Sequence, residues 1–340
     1  MPTLAAPAPK RDVPVGGWLL SPAADLALIA NLIWPFVFLL ICLNKRYLNV
    51  ELELFLASAI GTPHRWLTLP LIANDRARLR RGGGTLAWAT ILTAMLYAGV
   101  WRWLGGLRGV VLATFLWQVW HVAAQHAGLA RVYAVRGRPD VRSSGFWEKT
   151  VLRAFVVYAF IRLASLGGVL QVWPRFDALV RGSGLPDGRW DWLALAAPVL
   201  LLGREAAGFD RRLAARYAHL ASVCAIYSGV ILLTRLGRFD YALSLSAAIG
   251  VFHAVEYFGF VTWSVENRRK PRESFYAPWF AAHWRLALGI FLIAMACGTL
   301  TAAFFFPIAW LATNSFVSML HYAFDGVIWK IPAVFSAKAA

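Results

Sequence analysis

The chain has 340 residues, of which 59% are apolar and 15% charged, with a mean hydropathy of +0.58. Soluble domains lie nearer about 45–50% apolar and 25% charged, so this composition excludes a water-soluble enzyme, a disordered chain and a disulfide scaffold. It points to a polytopic membrane protein. The net charge of +17, from 34 Lys and Arg against 17 Asp and Glu, reads first as a topology signal rather than a nucleic-acid signal, because cytoplasmic loops of membrane proteins carry excess Lys and Arg.

Residues 1–16 are rich in Pro and Ala, with Lys10 and Arg11, and read as a flexible tail. The apolar run that follows has no small-residue cleavage site and reads as a first span, not a signal peptide. Ten candidate spans follow: roughly 26–43, 52–73, 85–104, 109–134, 150–173, 191–203, 214–236, 241–263, 284–306 and 308–329. The sixth is short, and the stretch Arg204–Arg216 after it reads as an interfacial helix. Asp25 in SPAADLAL reads as a helix N-cap. Cys42, Cys224 and Cys297 lie in apolar stretches with no C-x-x-C spacing, which implies neither a disulfide framework nor a zinc ribbon.

The loops alternate in charge. The rich ones carry Arg76, Arg78, Arg80 and Arg81; Arg136, Arg138, Arg142 and Lys149; Arg204, Arg211, Arg212 and Arg216; and Arg268, Arg269, Lys270 and Arg272. The loops between them are poorer, which places both termini in the cytoplasm. Trp18, Trp101, Trp103, Trp173, Trp192, Trp263 and Trp329 fall near span ends, as an interfacial belt requires. The expectation is an all-α transmembrane helix bundle: one domain over 17–330, with a C-terminal tail at 331–340.

Ionisable residues at bilayer depth are costly and usually functional. His64, His121, His126, His253 and His321 fall inside the second, fourth, eighth and tenth spans. His64, His121, His253 and His321 precede Arg76, Arg136, Arg268 and Lys330 by 9 to 15 residues. At about 1.5 Å per residue that is one depth, where four parallel helices can build one cluster. His253 and Glu256 are i, i+3; His321 and Asp325 are i, i+4; His121 and Gln125 are i, i+4. Each pair shares a helix face. Asp325 reads as a ligand or as the acceptor that orients His321. His126 is a further candidate metal ligand, but lies about 140° around from His121, so the two need not serve one centre, and it is the more structural of the two. In Gly61-Thr-Pro-His64, Pro63 frees a backbone carbonyl and bends the span. His219 and His283 read as interfacial. Arg162, mid-span, reads as a partner of Glu256 or Asp325, or as a holder of an anionic substrate group; Arg65 also needs an explanation. Trp66, Trp117 and Trp120 flank the His residues and read as packing. Imidazole and carboxylate suit iron, zinc, copper or nickel. The lack of thiolate argues against structural zinc, and several His with carboxylates in an aromatic-rich membrane fold fit best a non-haem iron acting with O₂ on a hydrophobic substrate.

Gly61-Thr-Pro-His64, His121, His253 after Phe252, and His321 ahead of Asp325 together resemble the Brp/Blh-type bacterial membrane β-carotene 15,15′-dioxygenases. Thr68 stands where that family tends to have an Asp, and Glu256 where it has a second His. The segments HAVEYFGFVTWSVENRRK and HYAFDGVIWK also resemble uncharacterised bacterial polytopic membrane proteins. The first resemblance implies iron, one or two ions, held by His64, His121, His253 and His321. It also implies oxidative cleavage of a long apolar polyene, in a multi-pass protein of the bacterial inner membrane. Glu256 and Asp325 are then the candidate catalytic groups, with Gln125 and Arg162 as candidate substrate contacts. The expected partners are a lipid or carotenoid substrate, the bilayer and an electron donor if one is needed; nucleic acid is not expected. Two other classes fit the same residues: a haem protein using paired His, and a transporter relaying ions through His, Asp and Glu.

Overall fold

The computed structural model describes residues 16–47, 52–138, 145–165, 174–185, 187–267 and 275–329. Every regular element among them is helical. They are α1 (Pro22–Ala24), which runs into a π-helical turn at Asp25–Ile29; α2 (Trp34–Tyr47); α3 (Leu52–Leu56), with a second π-turn at Ala57–Gly61; α4 (Thr62–Asn74); α5 (Arg76–Trp103); α6 (Leu107–Gly137); α7 (Phe146–Ala164); α8 (Pro174–Gly182); α9 (Asp191–Ala207); α10 (Ala214–Arg235), entered through a 3-10 turn at Arg211–Leu213; α11 (Phe239–Glu266); α12 (Pro278–Ala282); α13 (Trp284–Phe305); and α14 (Pro307–Ile328).

Each predicted span has a helical counterpart, several with a break that periodicity alone does not show. The first is two helical pieces, Pro22–Ile29 and Trp34–Arg46, bent by 42°. Asn31 sits in the bend with φ of 50° and donates from Nδ2 to the Phe252 carbonyl at 3.2 Å. Asn is among the few side chains that adopt this left-handed backbone. The second span is α3, its π-turn and α4 in sequence. Among the described residues, α5, α6, α10 with its entry turn, α11 and α13 are long and apolar enough to cross a membrane, and the bent pair makes a sixth if it is one span.

The local signals explain several starts. Asp75 caps α5, its carboxylate accepting from the Arg78 amide at 3.0 Å. α14 opens on Pro307, whose missing N–H costs nothing in a first turn.

The main apolar core joins α6, α7, α9, α10 and α11, with Ile41 of α2 inserted. α14 packs on α4, α5 and α6 and closes the bundle on its other side. α5 and α13 lie outermost: only 11% and 6% of their apolar windows are buried. Trp88, Met95, Ile293 and Phe304 point outward from them. Soluble monomers rarely expose continuous apolar faces of this kind.

Three readings change. Asp25 is not the N-cap; Ser21 caps α1, accepting from the Ala24 amide at 3.2 Å. Asp25 is fully buried and accepts from the Leu19 and Leu20 amides at 2.6 and 2.9 Å and from Tyr133 Oη at 3.0 Å. It thereby pins residues 16–21 across the ends of α6 and α10, where Leu19, Ile29, Tyr133 and Ala215 pack together. Arg204–Arg216 is not one interfacial helix but the end of α9, a 3-10 turn and the start of α10. Arg216 in it is buried against Glu148 and Glu205. Trp263 is buried beside Phe260 rather than interfacial, whereas Trp103 and Trp192 are exposed. The tails at 1–15 and 331–340 lie outside the described residues, as do Arg142, Trp173, Arg268, Arg269, Lys270, Arg272 and Lys330.

Candidate metal centre

His64 (α4), His121 (α6), His253 (α11) and His321 (α14) meet at one point inside the bundle, and all four are buried. Their ring centroids form a closed circuit: His64–His253 4.9 Å, His253–His121 5.3 Å, His121–His321 4.9 Å and His321–His64 5.1 Å. Four helices thus bring to one level the four residues whose distances from the basic loops predict a common depth.

The hydrogen bonds fix which nitrogen faces inward. His64 Nδ1 lies on the Gly61 carbonyl. A carbonyl only accepts, so Nδ1 carries the proton and the Nε2 lone pair is free. The geometry has a local origin: the π-turn ends at Gly61, where the backbone changes register beside Pro63 and leaves that carbonyl turned to the ring. His321 Nδ1 lies 2.6 Å from Thr68 Oγ1. Tyr257 donates to Asp325 and so accepts from Thr68, which leaves Thr68 to accept from Nδ1–H and the Nε2 lone pair free. His64 Nε2, His121 Nε2, His321 Nε2 and both nitrogens of His253 have no hydrogen-bond partner among the described residues. Buried polar atoms are almost always paired. The candidate ligand atoms form two overlapping groups that share His321, one of His64, His253 and His321 and one of His121, His321 and Asp325, each within 4.8 Å, and their orphaned nitrogens require an explanation.

Asp325 lies at the edge of this circuit. Its Oδ2 is 3.7 Å from His321 Nε2 and 3.9 Å from His121 Nε2, on the side of the free lone pairs. The acceptor at His321 Nδ1 is Thr68, so the orienting role expected of Asp325 belongs to Thr68. A chain of contacts runs from His321 through Thr68 to Tyr257 Oη at 2.7 Å and on to Asp325 Oδ1 at 3.5 Å. Thr68 is four residues after His64 and Tyr257 four after His253, so same-face spacing was the available signal for both. Arg65, next to His64, donates to Ser318 Oγ at 3.2 Å.

A second polar cluster adjoins the first. Glu256 Oε1 is 3.0 Å from His126 Nδ1 and 3.5 Å from His219 Nδ1. Its Oε2 accepts from Gln125 Nε2 at 2.6 Å. His126 Nε2 contacts Tyr227 Oη at 3.2 Å. His219 is therefore not interfacial. It is fully buried because residues 16–29 cover the helix ends one turn away. His126 is separate from the four-His circuit, 6.5 Å from His253 between ring centroids. Gln125 does not face an open space: its amide also donates to the His253 carbonyl at 3.3 Å.

Arg162 pairs with neither Glu256 nor Asp325. Its Nε lies 2.9 Å from Asp191 Oδ1, and Tyr158 donates to the same oxygen at 2.7 Å. This buried pair ties α7 to α9 and explains the mid-span cation without a substrate. His283 is exposed, as expected. Trp117 packs on Tyr322, which in turn lies 4.6 Å from the His121 ring. Trp66 stacks on Trp310, and Trp120 is exposed beneath Arg153.

No family model matches the chain, and neither the curated proteins nor the solved structures contain a match to it.

Proposed function

We propose that this chain is an integral membrane oxygenase whose non-haem iron is held by His64, His121, His253 and His321, acting on a hydrophobic substrate. The observation that carries the reading is the circuit of four buried imidazoles with unpartnered nitrogens, whose ligand atoms group around His321. The donor set fits the metal: neutral imidazoles with a nearby carboxylate, and no thiolate. The outer contacts fit it too, since metal-bound His usually donates its other N–H to a carbonyl, hydroxyl or carboxylate. The likeness of the His motifs to Brp/Blh-type dioxygenases points the same way.

Bound there, such iron supplies O₂ activation toward an apolar chain such as a carotenoid or lipid. The chain's own residues set the stage. Gly61 and Thr68 hold the rings of His64 and His321 in one tautomer. Asp325 Oδ2 faces the free nitrogens and is the candidate further ligand or proton acceptor. Tyr257 holds its other oxygen. Trp117 and Tyr322 make an aromatic wall beside His121, suited to an apolar substrate arriving from lipid. The imidazoles touch edge to face, an arrangement that suits an ion rather than a haem macrocycle, for which two rings must stand apart on opposite faces.

The outward apolar faces of α5 and α13 support embedding in a bilayer. In this reading all ten helical stretches cross the membrane with both termini in the cytoplasm, as the alternating loop charge requires, and the membrane is the bacterial inner membrane.

Alanine replacement of His64, His121, His253 and His321, one at a time, tests the site. Each variant, purified in detergent, is expected to lose iron while remaining monodisperse. Retention of wild-type iron by three of the four overturns the reading.

A further inference from the structure

Among the described residues the buried carboxylate of Glu256 has no Lys or Arg beside it, and only its two His neighbours could bring positive charge, by protonation or by holding an ion. Its contacts are Gln125, His126 and His219. His126, His219 and Glu256 are each 0% exposed and come from three different helices, α6, α10 and α11. Burying an uncompensated carboxylate is expensive, so something of positive charge is expected there.

The hydrogen bonds identify where. His219 Nε2 faces the His126 carbonyl at 3.3 Å, with the Ile29 carbonyl also beside the ring. A carbonyl only accepts, so Nε2 carries the proton. His219 Nδ1 then presents a lone pair, has no hydrogen-bond partner, and points at Glu256 Oε1 3.5 Å away. Two acceptors face one another with no hydrogen between them. His126 completes the set. Its Nε2 reaches Tyr227 Oη at 3.2 Å, and its Nδ1 lies 3.0 Å from the same Glu256 oxygen. Without an ion Nδ1–H donates to the carboxylate; Tyr227 Oη, which can donate or accept, lets the ring shift its proton to Nε2, and Nδ1 then directs a second lone pair at the same point.

The spacing is near that of a coordination sphere and would close to it by small side-chain movements. Ligands held about 2.1 Å from an ion at angles of about 90–109° lie roughly 3.0–3.4 Å apart. The two Nδ1-to-carboxylate distances are 3.0 and 3.5 Å, and all three candidate ligand atoms fall within 4.8 Å of one another.

We propose that His126 Nδ1, His219 Nδ1 and Glu256 form a second metal site, distinct from the four-His centre, taking a divalent first-row transition ion. Two neutral imidazoles and one carboxylate are the donor set that suits Fe(II). Gln125 links the two sites, since its amide donates both to Glu256 and to the carbonyl of His253. The second site stands on its own geometry and does not require the first to bind metal.

The test is a cobalt count. Purified full-length protein is stripped with a chelator and titrated with Co²⁺, reading metal per chain by mass spectrometry and ligand-field bands by visible absorption. Wild type is expected to take two Co²⁺ per chain. His219→Ala and the isosteric Glu256→Gln are expected to take one, and the double variant His64→Ala/His321→Ala also one, with a different band pattern. One Co²⁺ in wild type, unchanged in His219→Ala but lost in the double variant, overturns the second site and leaves the four-His reading intact. One Co²⁺ lost in His219→Ala but kept in the double variant supports the second site and refutes the four-His reading. No Co²⁺ in wild type overturns both, and the wild-type count does not depend on any variant folding.

Discussion

Thr68→Val removes one hydroxyl from the centre and almost nothing else. Thr68 Oγ1 makes two short contacts, 2.6 Å to His321 Nδ1 and 2.7 Å to Tyr257 Oη. Valine keeps the volume in a position that is 0% exposed. The His321 Nδ1–H then has no acceptor while Nε2 is held on a metal. In the metal-free form the neutral ring can instead carry its proton on Nε2, beside Asp325 Oδ2, so the cost falls mainly on binding. A buried donor left unsatisfied costs about 1–3 kcal/mol. Losing the outer partner of a metal-bound His costs roughly 10–100-fold in affinity, or about 1.4–2.8 kcal/mol. The two estimates agree. Competition with a chelator of known affinity, on protein in detergent, is expected to show metal binding weakened by about 10–100-fold in Thr68→Val, with Thr68→Ser close to wild type. Unchanged affinity in the valine variant would refute the assignment of Nε2 as the metal-facing atom of His321.

Other consequences concern the scaffold. Asp191→Asn strands a buried Arg162 and is expected to destabilise by about 3–5 kcal/mol, seen as a lower melting temperature with metal content unchanged. Loss of iron in that folded variant would restore Arg162 to the functional site. Asp25→Ala releases the Leu19 and Leu20 amides and Tyr133 Oη; charge-assisted bonds are worth about 1.5–3 kcal/mol each, so cleavage near residues 16–21 in limited proteolysis should accelerate. An unchanged cleavage rate would show that Asp25 does not hold this segment down. Gly137→Ala places a Cβ 2.3 Å from the Arg212 carbonyl oxygen, so backbone must shift, at about 1–3 kcal/mol. A melting temperature equal to wild type would mean that the α6 terminus and the 3-10 turn are not packed as described.

Much of the arrangement was legible before any coordinates. The ten apolar runs correspond to helices because length and hydropathy are set by the chain itself. The meeting of His64, His121, His253 and His321 was foreshadowed because distance along a helix from a basic loop measures depth. What could not be read was rotation and tertiary cover. Arg162 looked functional because its partner, Asp191, is distant in sequence and begins another helix. His219 looked interfacial because it lies one turn into α10, and only the tertiary placement of residues 16–29 buries it. The hydrogen-bonding roles of Thr68 and Tyr257 are not legible in the sequence, because a hydroxyl within an apolar span is ordinary until it is seen against an imidazole. The two π-turns, which re-aim Asp25 and the backbone before His64, leave no mark in the hydrophobic period.

The central claim is that the buried imidazole circuit holds iron. The most direct test is the iron content of detergent-purified protein, measured with its absorption spectrum and repeated on His64→Ala/His321→Ala. The account predicts at least one iron per wild-type chain, no Soret band, and a lower iron content in the double variant. Iron-free wild-type protein, or a Soret band, would contradict it.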